Sequence, residues 1–135
     1  TLDLGIAGHD FRVELPRMSK EDALPLADYL SLHTPFTGSA VMGAEQFAML
    51  KPGCILINTS RGENVDEAAL LEALDSGMLA GAGLDVFHNE PGINPSLLAH
   101  PRISVSPHVA ASTREAQERV AVELVEKILE LYGKH

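Results

Sequence analysis

The sequence predicts an α/β fold in which a parallel sheet is flanked by helices. Short apolar runs alternate with stretches that carry helix caps and stops, and a polar cluster follows each run. Alternation of this kind is typical of βαβ units, which build parallel sheets with right-handed crossovers. The chain has 135 residues, of which 45% are hydrophobic, so it is the size of one domain and can bury a core.

The apolar runs are the predicted strands, and their brevity suits strands that are buried on both faces. In chain order they are residues 27–32, 54–57, 80–84 and 103–105. The carboxyl ends of parallel strands lie along one edge of a sheet, where open α/β sheets bind ligands. We therefore expect His33-Thr34, Thr59-Ser60-Arg61, Asp85 and His108 to converge on one cleft.

The first two predicted helices are recognised by their ends. Ser19 can cap the first helix through its hydroxyl. The second helix follows Gly43 over residues 44–51, and Pro52 and Gly53 stop it.

Two longer helices follow. Asp66 can cap residues 67–76, which Gly77 terminates, and Ser112 with Glu115 fits a capping box for the last helix. Their apolar faces are predicted to contain Leu70, Leu71 and Leu74 in the former, and Ala116, Val120, Leu124, Ile128 and Leu131 in the latter.

Charge and hydropathy exclude two classes of partner. The net charge is −9, with only 10 lysines and arginines and no basic cluster, so binding to nucleic acid is not expected. No apolar run approaches the roughly 20 residues of a membrane helix, and the first residues carry no secretion signal, so a cytoplasmic location is expected.

A metal site is not expected either. The six histidines show no pair at the i, i+4 spacing, and no CxxC motif accompanies them. The single cysteine, Cys54, lies in an apolar run and is predicted to be a buried packing residue.

Arg61 is the first candidate for chemistry. Most arginines in polar loops are simply solvated, but Arg61 comes soon after a predicted buried strand, and Gly62 lets the backbone turn. Its side chain should therefore point into the cleft. A guanidinium presents a planar fork of donors that matches a carboxylate or an α-keto acid.

Glu90 and His108 form a candidate acid–base pair. A carboxylate that is hydrogen-bonded to one imidazole nitrogen fixes the tautomer and raises the histidine pKa. The other nitrogen can then exchange a proton with a substrate oxygen. Taken alone, Glu90 could be a surface residue and His108 a core histidine, and Asp85 could be a helix cap or a turn former.

These segments resemble the signatures of the D-isomer-specific 2-hydroxyacid dehydrogenases. The matching motifs are Asn-Thr-Ser-Arg-Gly at 58–62, Gly-Leu-Asp-Val-Phe and Asn-Glu-Pro within 83–91, and Ser-Pro-His-Val at 106–109. Residues 33–35 and 65–70 match further family segments. The resemblance covers nearly everything from about Ser19 to the end of the chain.

The resemblance implies a Rossmann-like NAD-binding domain and reversible hydride transfer between NAD(H) and a D-2-hydroxyacid/2-keto acid pair. Arg61 would bind the substrate carboxylate and carbonyl, His108 would be the acid–base residue, and Glu90 would orient it. The positions that resemble cofactor contacts are Thr34, Thr59, Ser60, Asp85 (near the nicotinamide carboxamide) and the backbone around Ala110. Family members commonly dimerise through this domain, so a homodimer is expected.

Residues 111–117 most resemble the phosphoglycerate dehydrogenases of serine synthesis, while glyoxylate and hydroxypyruvate reductases remain open. An alternative from another class is an NADH-sensing, corepressor-like interaction module. The retained Arg61, Glu90 and His108 favour catalysis, because a sensor needs no proton relay. Formate dehydrogenases are disfavoured because they have a glutamine where Glu90 stands.

The sequence departs from the family in two places. It contains no GxGxxG motif and no substrate domain, so residues 1–135 are expected to be an incomplete nucleotide-binding domain that is inactive alone. Asp10 receives no role. Glu63 and Asn64 stand where the family usually has small or apolar residues, and the charge of Glu63 is expected to weaken anion binding at Arg61 unless it faces water.

Overall fold

Two strands at the start of the chain form a hairpin of their own. In the computed structural model, which describes residues 2–6, 9–13 and 16–133 (the side chains of 16–133), β1 (Leu2–Ile6) pairs antiparallel with β2 (His9–Val13). The sequence did not lead us to expect this hairpin. Asp10 lies within β2, opposite Gly5, and not after a strand of the parallel sheet.

Helices and strands alternate through the rest of the chain, as the sequence predicts. The elements are α1 (Lys20–Ala23), β3 (Tyr29–Leu32), α2 (Ala44–Ala48), β4 (Cys54–Asn58), α3 (Glu67–Asp75), β5 (Leu79–Leu84), α4 (Pro95–Ala99), β6 (Ile103–Val105) and α5 (Arg114–Tyr132). Short 3-10 turns span Leu24–Leu26 and Gly62–Asn64. Among these elements, α4 was not predicted from the sequence.

Strands β3 to β6 form a four-stranded parallel sheet in the order β3-β4-β5-β6. The register pairs Leu32 with Asn58, Asn58 with Leu84, and Leu84 with Val105. These are the last residues of their strands, so the four carboxyl ends lie level along one edge. The prediction that they share an edge is confirmed.

The hydrophobic core lies on one face of this sheet, where α2 packs on α3 and α3 packs on β5. Its most buried side chains include Leu56, Leu70, Leu74 and Leu79, each with 0% relative exposure. The expectation that the strands are buried on both faces is wrong: on the other face Ile57 is 38% exposed and Tyr29 73%. Successive side chains of a strand point to opposite faces, and no helix among the described residues covers the second face.

The helix ends follow the predicted signals with two corrections. Ser19 and Asp66 accept hydrogen bonds from first-turn amides, as expected of caps. Helix α2 ends at Ala48 and not at residue 51, because Met49 and Leu50 close their turn with bonds to residues three back. The cap of α5 is Thr113 and not Ser112, since the Thr113 side chain accepts from the Ala116 amide.

Helix α5 carries its predicted apolar stripe but does not bury it. Val120, Leu124, Ile128 and Leu131 are all exposed, and no residue of α5 is buried. None of the helices in the described part of the chain has the length and apolar character needed to cross a membrane.

Candidate active site

The loops that leave the level strand ends build the candidate site. The parallel ladder continues one residue beyond β5 and β6, because the Asp85 amide donates to the Asn58 carbonyl and the Ser106 amide donates to the Leu84 carbonyl. This continuation fixes where the loops after β5 and β6 start.

Asn58 holds the loop that carries Arg61. This side chain is only 1% exposed; its Nδ2 donates to the Arg61 carbonyl at 2.8 Å, and its Oδ1 accepts from the Ser60 amide at 3.1 Å and the Ser60 hydroxyl at 2.8 Å. Asparagine commonly forms such turns with the backbone that follows it. The exposed Arg61 side chain donates from Nη1 to the Ser60 carbonyl at 2.6 Å.

Gly62 brings the arginine loop against the loop after β5. A Cβ atom at this position would lie 2.0 Å from the Phe87 carbonyl carbon and 2.5 Å from the His88 nitrogen. Only glycine allows two backbones to approach this closely. The contact places Arg61 beside the segment that leads to Glu90.

Glu90 and His108 form the predicted pair. The two are joined by a 2.7 Å hydrogen bond between His108 Nδ1 and Glu90 Oε2, while Glu90 Oε1 accepts from the Phe87 amide at 2.9 Å. The hydrogen bond from His108, and then the one from Phe87, hold the pKa of Glu90 below its usual range. An ionised Glu90 fixes the ring proton on Nδ1 and leaves Nε2 as the nitrogen for proton exchange.

Asp85 holds the loop that presents His108. Its buried carboxylate accepts from the Ser106 hydroxyl at 2.5 Å, the Val109 amide at 2.9 Å and the Ala110 amide at 2.9 Å. Burial opposes ionisation of Asp85, but these hydrogen bonds outweigh it and lower the pKa. His108 stands at the turn of this loop with a φ of +53°, a conformation that non-glycine residues seldom adopt.

Arg61, Glu90 and His108 line one cavity of about 210 Å³. Of the residues expected to share a cleft, Arg61 and His108 line this cavity together with Glu90, whereas His33, Thr34, Thr59, Ser60 and Asp85 do not. The partly buried Glu63 lines the same cavity, so its charge does not simply face bulk water.

The remaining residues predicted to contact a cofactor differ in how they are presented. Thr59 is exposed at the end of β4, and Thr34 lies in the loop after β3. Ser60 is 9% exposed and its hydroxyl is bonded within the protein, and the Ala110 amide is bonded to Asp85. A cofactor contact from either residue would have to use atoms other than the Ser60 hydroxyl and the Ala110 amide. The sequence did not predict this.

Three supporting residues were missed by sequence reasoning. Asn58 was visible in principle, because an asparagine two residues before a serine at a strand end is a turn signal. Asn64 was noticed only as a departure from the family, and nothing local marked Ser106. In the structure Asn64 donates to both Thr34 and Ser60, and Ser106 donates to Asp85. Asn64 lies 30 residues from Thr34, and Ser106 lies 21 residues from Asp85, so these pairs meet only when the chain folds.

Cysteine and metal chemistry is not prominent in the described part of the chain. Cys54 is buried, and burial raises the pKa of its thiol, as suits a packing residue. Residues 16–133 contain no group of three or more His, Cys, Asp or Glu side chains that could hold a metal ion.

Comparison with known proteins gives the same family from sequence and from structure. A profile of the family described as "D-isomer specific 2-hydroxyacid dehydrogenase, NAD binding domain" matches residues 7–110. The D-3-phosphoglycerate dehydrogenase of Bacillus subtilis is 46% identical over 112 residues, which are 82% of this chain and 21% of that protein. The hydroxypyruvate reductase of Thermotoga maritima is 44% identical over 126 residues, which are 90% and 40% respectively.

Among solved structures, a glyoxylate reductase from Paecilomyes thermophila superposes with a TM-score of 0.76 at 33% identity, over 86% of this chain and 37% of that one. The chain thus spans between about a fifth and two fifths of the length of these relatives.

Proposed function

The chain belongs to the D-isomer-specific 2-hydroxyacid dehydrogenase family, and we propose that the protein transfers a hydride between NAD(H) and a D-2-hydroxyacid/2-keto acid pair. One observation carries the proposal: Arg61, Glu90 and His108 line a single cavity at the level carboxyl ends of the sheet. A sensor that only bound nucleotide would gain nothing from the Glu90–His108 proton relay.

The residues present fit the nicotinamide end of the cofactor. Polar residues follow the carboxyl ends of β3, β4 and β5, where an open α/β sheet binds its ligand. Thr34, Thr59 and Asp85 are the residues we propose beside the nicotinamide. No GxGxxG occurs in the 135 residues, so this chain offers no glycine-rich turn for the pyrophosphate.

Each catalytic residue has a distinct task in this proposal. Arg61 binds the substrate carboxylate and polarises the carbonyl through its guanidinium. When a 2-keto acid is reduced, Nε2 of protonated His108 gives its proton to the carbonyl oxygen; in the reverse direction Nε2 takes the hydroxyl proton. Ionised Glu90 stabilises the charged imidazole through Nδ1. The bound nicotinamide supplies the hydride to C2, or accepts it.

The proposed substrate is 3-phosphoglycerate, because the Bacillus subtilis relative bears that activity in its name. Glyoxylate and hydroxypyruvate are the alternatives, since other relatives are named as reductases of these compounds. A role in serine biosynthesis, a cytoplasmic location and a homodimer belong to the same proposal.

The decisive experiment compares 2-keto acids and 2-hydroxyacids as substrates with NAD(H). It uses the longest natural form of the protein, with a parallel chimera in which this chain replaces the matching segment of the Thermotoga maritima enzyme. Reduction of at least one 2-keto acid is expected. Binding of NADH without any turnover would overturn the proposal and favour the corepressor-like alternative.

The role of His108 is tested by the variant His108→Gly. Glycine accepts the φ of +53° without strain, so the loop should keep its shape while the imidazole is lost. We expect kcat to fall by about 10² to 10⁴, NADH affinity to persist, and added imidazole to restore part of the activity. Unchanged turnover would show that His108 is not the proton donor.

A further inference from the structure

Asn64 is a fully buried asparagine between the loops that follow β3 and β4. Its relative exposure is 0%, and it ends the 3-10 turn that begins just after Arg61. The proposed reaction gives this residue no task. Amide side chains are seldom fully buried without a structural reason, because their polar atoms lose hydration.

The Asn64 side chain joins the two loops through hydrogen bonds. Its Nδ2 donates to the Thr34 carbonyl at 2.8 Å and to the Ser60 hydroxyl at 3.0 Å. The Ser60 hydroxyl in turn donates to Asn58 Oδ1, and Asn58 Nδ2 donates to the Arg61 carbonyl. An unbroken path of hydrogen bonds therefore runs from the backbone of Thr34 to the backbone of Arg61.

The Asn64 backbone holds the far end of the first loop. Its carbonyl accepts from the Val41 amide at 2.8 Å and from the Met42 amide at 3.0 Å. Residues 34–41 contain no helix or strand. One residue thus pins both ends of this segment, with its side chain at Thr34 and its carbonyl at Val41.

The Oδ1 atom of Asn64 indicates which atoms of the side chain stabilise the structure. Its Oδ1 is buried and has no hydrogen-bond partner among the described residues. The amide cannot be turned round to relieve this, because the Thr34 carbonyl can only accept. An apolar side chain at this position would avoid the unpaired oxygen, so the asparagine serves through its two donated hydrogen bonds.

We propose that Asn64 is a positioning residue that holds segment 34–41 and the arginine loop (59–61) in one rigid frame. The roles of Thr34 and Arg61 in this frame rest on the proposed function, whereas the mechanical coupling does not. Removing the Asn64 donors is then expected to loosen both loops together and to weaken cofactor and substrate binding in parallel.

Amide hydrogen exchange of the variant Asn64→Val tests the coupling without any ligand. Exchange of the hydrogen-bonded amides of Val41 and Ser60 should accelerate by about tenfold, because the opening of both loops becomes easier. The control Leu74→Val shortens a core side chain on α3 and should lower global stability without this selective effect. The proposal is overturned if neither loop changes, if only one changes, or if the control shows the same pattern.

Ser60→Ala removes the hydroxyl that links Asn64 to Asn58. It replaces Asn64→Val as the test variant if Asn64→Val does not fold. The double variant should loosen the loops no more than Asn64→Val does, whereas additive effects would contradict a shared path. In a form of the protein that reduces a 2-keto acid, Asn64→Val should raise both the Kd for NADH and the KM for the 2-keto acid by similar factors. Faster exchange in a protein that reduces no 2-keto acid would refute the proposed function and leave the coupling intact.

Discussion

The pair formed by Glu90 and His108 is the residue-scale feature from which the proposed chemistry follows. One carboxylate oxygen binds the imidazole and the other binds the Phe87 amide, so Glu90 cannot rotate away from the ring. Asp85 holds the chain on either side of His108, since it accepts from the Ser106 side-chain hydroxyl before it and from the Ala110 amide after it. His108, the proposed proton donor, is thus held both through its side chain and through its loop.

The lowered pKa values of Asp85 and Glu90 predict a loss of stability in acid. Each group has a folded-state pKa below its ordinary value, which is 3.8 for Asp85 and 4.5 for Glu90. Their contribution is complete above those ordinary values and is lost as the pH falls through the lower folded-state values. Urea unfolding between pH 6 and about 2 should show this decline.

The variant Glu90→Gln should flatten this decline, because glutamine has no proton to bind. The control Glu72→Gln changes an exposed glutamate of α3 and should leave the profile as it is. A profile for Glu90→Gln that matches the parent protein would contradict the assignment.

Gly62 gives a second residue-scale prediction. The variant Gly62→Ala would place a methyl group 2.0 Å from the Phe87 carbonyl carbon, so one of the two loops must move. Overpacking of this kind costs about 1–3 kcal/mol, and the displacement of Arg61 should also lower kcat/KM. Gly83→Ala is the matched control, since its Cβ would meet only Ile57 at 3.9 Å. Equal urea midpoints for the two variants would contradict the close-approach argument.

At the scale of elements, the sequence pattern and the structure indicate different caps at the start of α5. Ser112 and Thr113 both suit a cap, and the pattern with Glu115 favoured Ser112, whereas the backbone brings the Thr113 hydroxyl to the Ala116 amide. Thr113→Ala should therefore cost about 1 kcal/mol at this helix end, seen as faster exchange of the Ala116 amide. Ser112→Ala is the control and should leave that exchange unchanged. Faster exchange in Ser112→Ala but not in Thr113→Ala would instead support Ser112 as the cap.

The strands show how far the pattern of apolar residues leads. The positions of the four parallel strands were predicted within two residues, because short apolar runs between turn signals have few other solutions. Burial on both faces was wrong, since covering a face depends on elements that pack there and not on the strand itself. The same reason explains the exposed apolar stripe of α5, which the sequence marks as a surface to be buried.

At the scale of the whole molecule, the absence of a GxGxxG motif predicts weak cofactor binding by the 135 residues alone. In the proposed complex the described loops would contact only the nicotinamide end, and a glycine-rich turn normally binds the pyrophosphate. Titration of the 135-residue chain with NADH, followed by the nucleotide fluorescence, should give no micromolar affinity. A micromolar Kd would show that this part of the fold suffices for binding.

The sequence by itself determined the family and the placement of the polar strand ends along one edge, and it singled out Arg61, Glu90 and His108 as candidates, because these depend on short motifs and on the fixed geometry of βαβ units. Only the tertiary structure decided that Asn64, Asn58 and Ser106 hold those residues in place, and that Ser60 turns inward. Hydrogen bonds between distant segments depend on the distances that packing leaves between them, and a linear pattern does not encode those distances.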